Sequence, residues 1–381
     1  MSERIYLDHN ATTPSRPEVR DAMVAALALE GNPSSVHAEG RAARAAIEAA
    51  REKVASLVGA KPDAVIFTSG GTEANALALA SLASVQGARL YLTAIEHPSV
   101  LAGGRFPPTA ISQIPVTAEG VVDLEVLATE LAKPHFQGTR VFVSVMAANN
   151  ETGALQPVAE VAAIVHEAGG LFHSDAVQAA GKVPLDFAAL GADLLTLSAH
   201  KLGGPTGVGA LVLRQGIEID PLLKGGGQER RRRAGTENVA GIVGFGVAAE
   251  LAAAGLSKAS EIAKLRDELE ARELAIAPEA VVFSASVPRL PNTSAIAVPG
   301  TKAETLVIGL DLAGIAVSSG SACSSGKVEA SHVLRAMGVA PELTQGAIRV
   351  SLGPDSQGAD VEKFIAAWSE LITRLKGRKA A

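Results

Sequence analysis

Four consecutive residues, Ser198-Ala199-His200-Lys201, together with Asp175 and Gln178, carry the most pointed chemistry in this chain. A lysine amine is a weak nucleophile until its surroundings lower its proton affinity or it condenses with a carbonyl to an imine. A flat aldehyde such as pyridoxal phosphate supplies that carbonyl. Its ring nitrogen also needs an acidic partner before the ring can take up electrons. Asp175 ends the apolar run 170–175, and Lys201 follows the apolar run 192–198. Groups at the carboxyl ends of buried strands are where an open α/β sheet places its ligand.

The elements that must position these groups alternate along the chain. Runs 64–68, 89–93, 140–146 and 171–174 read as buried strands, and 42–58, 73–85 and 158–168 as the helices between them. That alternation predicts an α/β fold, a mostly parallel central sheet with helices on both faces. The stretch 239–254 reads as a connecting helix and 257–273 as a charged amphipathic one. Short strands at 281–283 and 293–298 then mix with helices in a smaller α+β unit. The expected division is a large unit over 14–255 and a small one made of 1–13 with 256–381.

Other loops supply further groups. Thr68-Ser69-Gly70-Gly71-Thr72-Glu73 follows a strand and opens a helix. It reads either as an anion cradle of backbone N–H groups with the Thr72 hydroxyl or as an ordinary capped turn. His97, after the run 89–93, is either structural or stacks on a flat ring. Asn149-Asn150 either turns the chain or reaches a ligand. Placed on a helix, Gln178 would fall on the side of Asp175. Thr236, in a polar Gly-containing segment, is a candidate second anion donor. Cys323 is the only cysteine and sits in Val317-Ser318-Ser319-Gly320-Ser321-Ala322-Cys323-Ser324-Ser325-Gly326. Small polar neighbours argue for a reactive thiol in place of a packed one.

In order, these motifs resemble the cysteine desulfurases of the NifS/IscS type, in the class V aminotransferase group. The resemblance runs over nearly the whole chain. It starts at Tyr6-Leu7-Asp8-His9-Asn10-Ala11-Thr12-Thr13 and Gly31-Asn32-Pro33-Ser34-Ser35-Val36-His37. It continues through Asn149-Asn150-Glu151 and Asp175-Ala176-Val177-Gln178 to Ser321-Ala322-Cys323-Ser324-Ser325-Gly326 and Ala347-Ile348-Arg349-Val350-Ser351. It implies the PLP-dependent transferase fold (fold type I, aspartate aminotransferase-like). It also implies release of alanine from L-cysteine, with the sulfur left as a persulfide on Cys323.

The resemblance assigns residues as follows. Lys201 would bind pyridoxal 5'-phosphate covalently, His97 would stack on its ring, and Asp175 and Gln178 would hold its ring nitrogen and phenolic oxygen. Gly71, Thr72, Ser198 and His200 would hold its phosphate. Thr236 would reach the phosphate in a neighbouring subunit, which implies a homodimer. Asn150 would lie near cofactor and substrate, and Arg349 would clamp the substrate carboxylate. Cys323, Lys201 and His97 are the expected catalytic residues. A thiolate is needed at Cys323, and His97 is a candidate to generate it. The expected partner is a sulfur-acceptor protein such as an iron–sulfur scaffold. The nearest alternatives are a selenocysteine lyase and another class V aminotransferase. Segment 133–138 looks longer than usual, and the chain ends soon after its final helix, which leaves the acceptor open.

Composition narrows the remaining classes. The chain has 381 residues, long enough for two or three structural units. Hydrophobic residues make up 48% but aromatics only 3%, so Ala, Val and Leu must do most of the packing. A formal net charge of −6, without long single-sign runs, argues against a nucleic-acid partner. The exception, Arg230-Arg231-Arg232-Arg233, reads as a solvated or oligomer-contact loop. No stretch reads as the roughly 18 apolar residues of a membrane span, and residues 1–8 lack the order of a signal peptide. The expectation is cytoplasmic, with no membrane and no metal ion.

Overall fold

The computed structural model describes residues 4–83, 85–133, 140–320 and 330–380. Strand β1 (Ile5–Tyr6) precedes the main sheet. That sheet is built from β2 (Val65–Thr68), β3 (Arg89–Thr93), β4 (Ile111–Ile114), β5 (Val141–Ser144), β6 (Leu171–Asp175), β7 (Leu194–Ser198) and β8 (Gly209–Leu213). Its order is β2-β8-β7-β6-β5-β3-β4. β8 runs antiparallel to both β2 and β7, and the remaining pairs are parallel. The near-continuous apolar runs are explained by burial on both faces: β2, β5, β7 and β8 are buried throughout.

The expected strands are therefore present, with two additions. β4 is an edge strand of mixed polarity, and β8 turns back after the short loop 199–208. A loop of that length suits an antiparallel neighbour, because a parallel return needs a longer crossover. Helices Gly71–Ala83 and Val158–Glu167 occupy the connections between strands.

The rest of the chain forms β9 (Val281–Val282), β10 (Thr293–Ala297), β11 (Ile315–Ala316), β12 (Ser318–Ser319) and β13 (Ala347–Ser351). They make a four-stranded sheet ordered β12-β13-β10-β9, while β1 pairs with β11. Ile5 and Leu7 join Ile262, Leu306, Phe364 and Trp368 in one hydrophobic cluster. The first residues thus pack with the last third of the chain, and then cross toward the main sheet.

One expectation needs correction. The helical stretch Val239–Ile276 contains an 18-residue window apolar enough, by length and composition, to cross a membrane. Its packing gives another account. Helix Val239–Gly255 lies against helices Pro17–Leu27 and Ala38–Leu57, with Ile242, Phe245, Ala248 and Ala249 in the main core. At Gly246 a Cβ would come within 2.7 Å of Ala50, so glycine permits this close crossing. It is a core helix.

Candidate functional site

The parallel strands deliver their carboxyl ends to one rim. Thr68, Thr93, Ser144, Asp175 and Ser198 end β2, β3, β5, β6 and β7 respectively. Beyond them lies a cleft of ≈ 290 Å³. It is lined by Gly71, Thr72, His97, Asn150, Asp175, Gln178, Ser198, His200, Lys201 and Arg349, alongside Asn10 and Asn75. Ten residues singled out in the sequence therefore converge. Thr236 is exposed and does not line this cleft, and Cys323 lies outside the described residues. A smaller cavity of ≈ 70 Å³ also touches Lys201. Of the ten converging residues only Lys201 lines it, so they meet in the larger cleft.

The Lys201 amine donates to the carbonyl oxygens of Asn10 (2.6 Å) and Ala11 (2.7 Å). Both acceptors come from the segment that crosses over from β1. Asp175 Oδ2 accepts from Asn75 Nδ2 at 2.7 Å, and Oδ1 from the Val177 N–H at 2.9 Å. Asn75 sits one turn after Thr72 on helix Gly71–Ala83, so a single helix offers its amino end to the cleft and orients the carboxylate. Gln178 is placed by a series of turns after β6, where the sequence suggested a helix. Its Nε2 donates to Asn10 O at 2.9 Å.

His97 caps the short helix Pro98–Leu101. Its Nδ1 accepts from the Ser99 N–H at 3.1 Å and lies 2.7 Å from Ser99 Oγ. Ser99 Oγ in turn accepts from Asn75 Nδ2, so its own hydrogen points to the imidazole. Burial, countered by Asp175 and helped by Lys201 and His332, lowers the His97 pKa. The network thus assigns a neutral ring with its proton on Nε2, a donor and not a base at that nitrogen. His200 is pushed down to about 4, first by burial and then by Lys201 and Lys182, so it too is neutral near pH 7.

Glycines shape the floor. A Cβ on Gly71 would lie 3.1 Å from Val177 Cγ2 and 3.3 Å from Ser198 Cβ, and one on Gly209 would strike the Gly70 backbone at 2.5 Å. The backbone before helix Gly71–Ala83 is therefore held tightly against β7 and β8. The first N–H groups of a helix have no partner within it and suit an anion. These N–H groups, the Thr72 and Ser198 hydroxyls, a carboxylate and a lysine amine across one cleft fit pyridoxal phosphate.

Arg349 stands in the middle of β13, opposite Ala295 of β10 and Ser318 of β12. Its guanidinium donates to Asp8 Oδ1 at 2.7 Å and to Asn150 O at 2.9 Å. Its buried Nε has no partner among the described residues. A planar guanidinium with a spare buried N–H is suited to a carboxylate.

Two buried acids were not legible beforehand. Glu96 accepts from Thr93 Oγ1 and from Met146 N, and its Oε2 has no partner among the described residues. Burial pushes its pKa up to about 8 despite these donors. Glu151 accepts from Ser331 Oγ, and burial raises its pKa to about 7 against the pull of Ser331 and Arg349.

Away from the cleft, Glu229, Arg230 and Arg231 have positive φ values of 43°, 55° and 66°. Glu229 forms a buried two-pronged pair with Arg51 at 2.8 and 2.9 Å. Arg233 pairs with Glu73 on the helix that opens at Gly71. The arginine-rich loop is thus tied to the amino end of that helix.

Comparison with known proteins gives a consistent picture. The aminotransferase class-V family pattern matches residues 5–364. A cysteine desulfurase of Cereibacter sphaeroides is 46% identical over 98% of this chain and 97% of its own length. A cysteine desulfurase IscS of Dictyoglomus turgidum is 42% identical over 99% and 96%. The crystal structure of a NifS-like protein from Rickettsia africae superimposes with a TM-score of 0.89 at 39% identity. It covers 97% of this chain and all of that one.

Proposed function

The chain belongs to the aminotransferase class-V family, and from that premise we propose the activity that its cleft supports best: it is a cysteine desulfurase. Its reaction takes L-cysteine to L-alanine and leaves the sulfur on an enzyme thiol. The observation that carries the reading is the meeting of Lys201, Asp175 and Arg349 in one cleft beside the amino end of helix Gly71–Ala83.

Pyridoxal phosphate, when bound, supplies an electron-withdrawing ring next to the substrate α-carbon. Lys201 would hold it covalently, with Asp175 at the ring nitrogen and His97 over the ring. Gly71, Thr72, Ser198 and His200 would take the phosphate, with Thr236 contributed across a homodimer. Asn150 would lie beside substrate and cofactor. The Lys201 amine, once released, would accept the substrate α-proton. The substrate carboxylate goes to Arg349, replacing Asp8 and engaging the unpaired Nε.

Cys323 is the sulfur acceptor in this proposal. Its thiolate attacks the substrate sulfur, the Cβ–S bond breaks, and Cβ gains a proton. One cysteine and one thiol become one alanine and one persulfide, with no outside oxidant. The neutral His97 presents Nε2–H, so it serves as a donor, and the Cys323 proton leaves by another group or to water. The persulfide would then pass to a sulfur-acceptor protein in the cytoplasm. Residues 1–13 with 256–381 would form the small domain that carries Cys323.

The decisive experiment incubates the protein with pyridoxal phosphate and L-cysteine. It measures alanine, and it weighs the peptide containing Cys323. One added sulfur in wild type and none in Cys323→Ser, with alanine release lost, is the expected result. Alanine release by Cys323→Ser at the wild-type rate would overturn the persulfide route.

A further inference from the structure

Lys182 was not singled out in the sequence, yet its amino group sits at the centre of the site's hydrogen-bond network. Nζ donates to Gln178 Oε1 at 2.7 Å and to Asn10 Oδ1 at 2.9 Å. The same two residues meet the catalytic lysine: Asn10 O accepts from both Lys201 Nζ and Gln178 Nε2. Asn10 is 1% exposed, and its side chain is fixed from the other direction too. Asn292 Nδ2 donates to Oδ1, while Asn10 Nδ2 donates to Thr293 Oγ1 and Asn150 O.

We propose that Lys182 is a positioning residue: it locks the Gln178 amide with Nε2 as the group offered to the cleft, and through Asn10 it holds the carbonyl that receives the Lys201 amine. The proposal rests on the pyridoxal phosphate reading above.

The argument is one of donors and acceptors. An amide can be turned over with little change of shape, exchanging its oxygen for its NH₂. Here the exchange would set Gln178 NH₂ against the Lys182 donor and Gln178 oxygen against the Asn10 carbonyl. The oxygen–oxygen contact would be repulsive in either state of Lys182, and the other would be repulsive with Lys182 protonated, so a single orientation survives. Nε2 carries two hydrogens and Asn10 O takes one, which leaves the other for an acceptor in the cleft.

The two contacts donated by Nζ do not depend on the charge of Lys182. Burial, then the neighbouring charges of Lys201 and Arg349, hold its pKa well below the ordinary lysine value. A neutral amine still has two N–H groups, and two are what the contacts require. The residue is partly buried and lines the small cavity together with Lys201. The titratable groups facing it are Lys201 and His200 from the loop after β7, Arg349 from β13, and His9 from the amino-terminal crossing. Its own described partners are both neutral amide oxygens.

The test is a pH titration of the visible absorbance of protein reconstituted with pyridoxal phosphate. Loss of the Gln178 donor leaves the phenolic oxygen less stabilised as an anion, so the bound cofactor keeps its proton to higher pH. Lys182→Met should raise the midpoint by about one pH unit. Gln178→Leu should raise it similarly, and the double variant should move no further than Gln178→Leu alone, because the two act as one unit. Lys182→Gln keeps a donor for Gln178 Oε1 and should titrate like wild type.

A wild-type midpoint in Lys182→Met overturns the proposal, and so does a double variant equal to the sum of the two singles. Should Lys182→Met fail to fold, Lys182→Leu takes its place. Its midpoint should rise like that of Gln178→Leu, and a wild-type midpoint there sinks the proposal. If wild-type protein gains no visible absorbance at all, the cofactor reading has failed, which is a separate result.

Discussion

The two walls of the cleft are prepared differently. On the main-sheet wall, Asp175 already has both oxygens engaged by donors from its own neighbourhood, and Asn75, Ser99 and His97 form a continuous chain beside it. On the opposite wall, Arg349 is held by Asp8, an internal carboxylate in the position a substrate carboxylate would take. In the proposed function, the first wall would receive a ring and phosphate with its carboxylate already oriented, and the second would exchange one anion for another. The difference separates a lasting ligand from a transient one: donors and acceptors fixed in advance suit a group that stays, and a replaceable partner suits one that must leave. A buried guanidinium left alone would be costly, so Asp8 also compensates the charge of Arg349.

The largest test of this contrast is Lys201→Ala, which removes the proposed covalent anchor and proton acceptor of the fixed wall. Alanine release should fall by at least about 10²-fold, with circular dichroism and melting close to wild type. On the other wall, Arg349→Met should lower kcat/KM for cysteine by roughly 10–100-fold. Absorbance of the bound cofactor should change little, and an equal loss of cofactor affinity would break the division between the walls.

Glu96 tests how the main-sheet wall tolerates a second acid near Asp175. Its folded pKa of about 8 lies above its ordinary value, so between roughly pH 4.5 and 8 the folded protein holds a proton that the unfolded chain releases. This contribution to stability is lost as pH rises through that window. Glu96→Gln should flatten the fall in melting temperature between pH 5 and 9, an effect on the order of a few kcal/mol. Parallel pH profiles for the two proteins would contradict it. The smallest effect belongs to Asp8→Asn. Weakening the internal competitor for Arg349 should lower KM for cysteine by about 2- to 5-fold, less than one hydrogen bond to a charge is worth. A raised KM would show that Asp8 positions Arg349 and does not compete for it.

Much of this site was legible because its residues end apolar runs. Asp175 and Lys201 follow strands that announce themselves by Leu, Val and Phe, and a parallel sheet brings such ends together without knowledge of the loops. The class-V family assignment and the α/β fold follow from the same ordered motifs. What stayed hidden depends on three-dimensional crossing. Asn75 reads as ordinary helix, and only its turn past Thr72 hints that it faces the cleft. Lys182 follows Gly181 and looks like a surface loop residue, because nothing local shows that Asn10 arrives above it from 172 positions away. β8 was missed because the alternating pattern leads the reader to expect another parallel strand.

The amino-terminal crossing has a practical consequence. The carbonyls of Asn10 and Ala11 touch the Lys201 amine directly. A protease nick or a substitution between β1 and Thr13 would be felt at Lys201, although every residue of the main sheet remained in place.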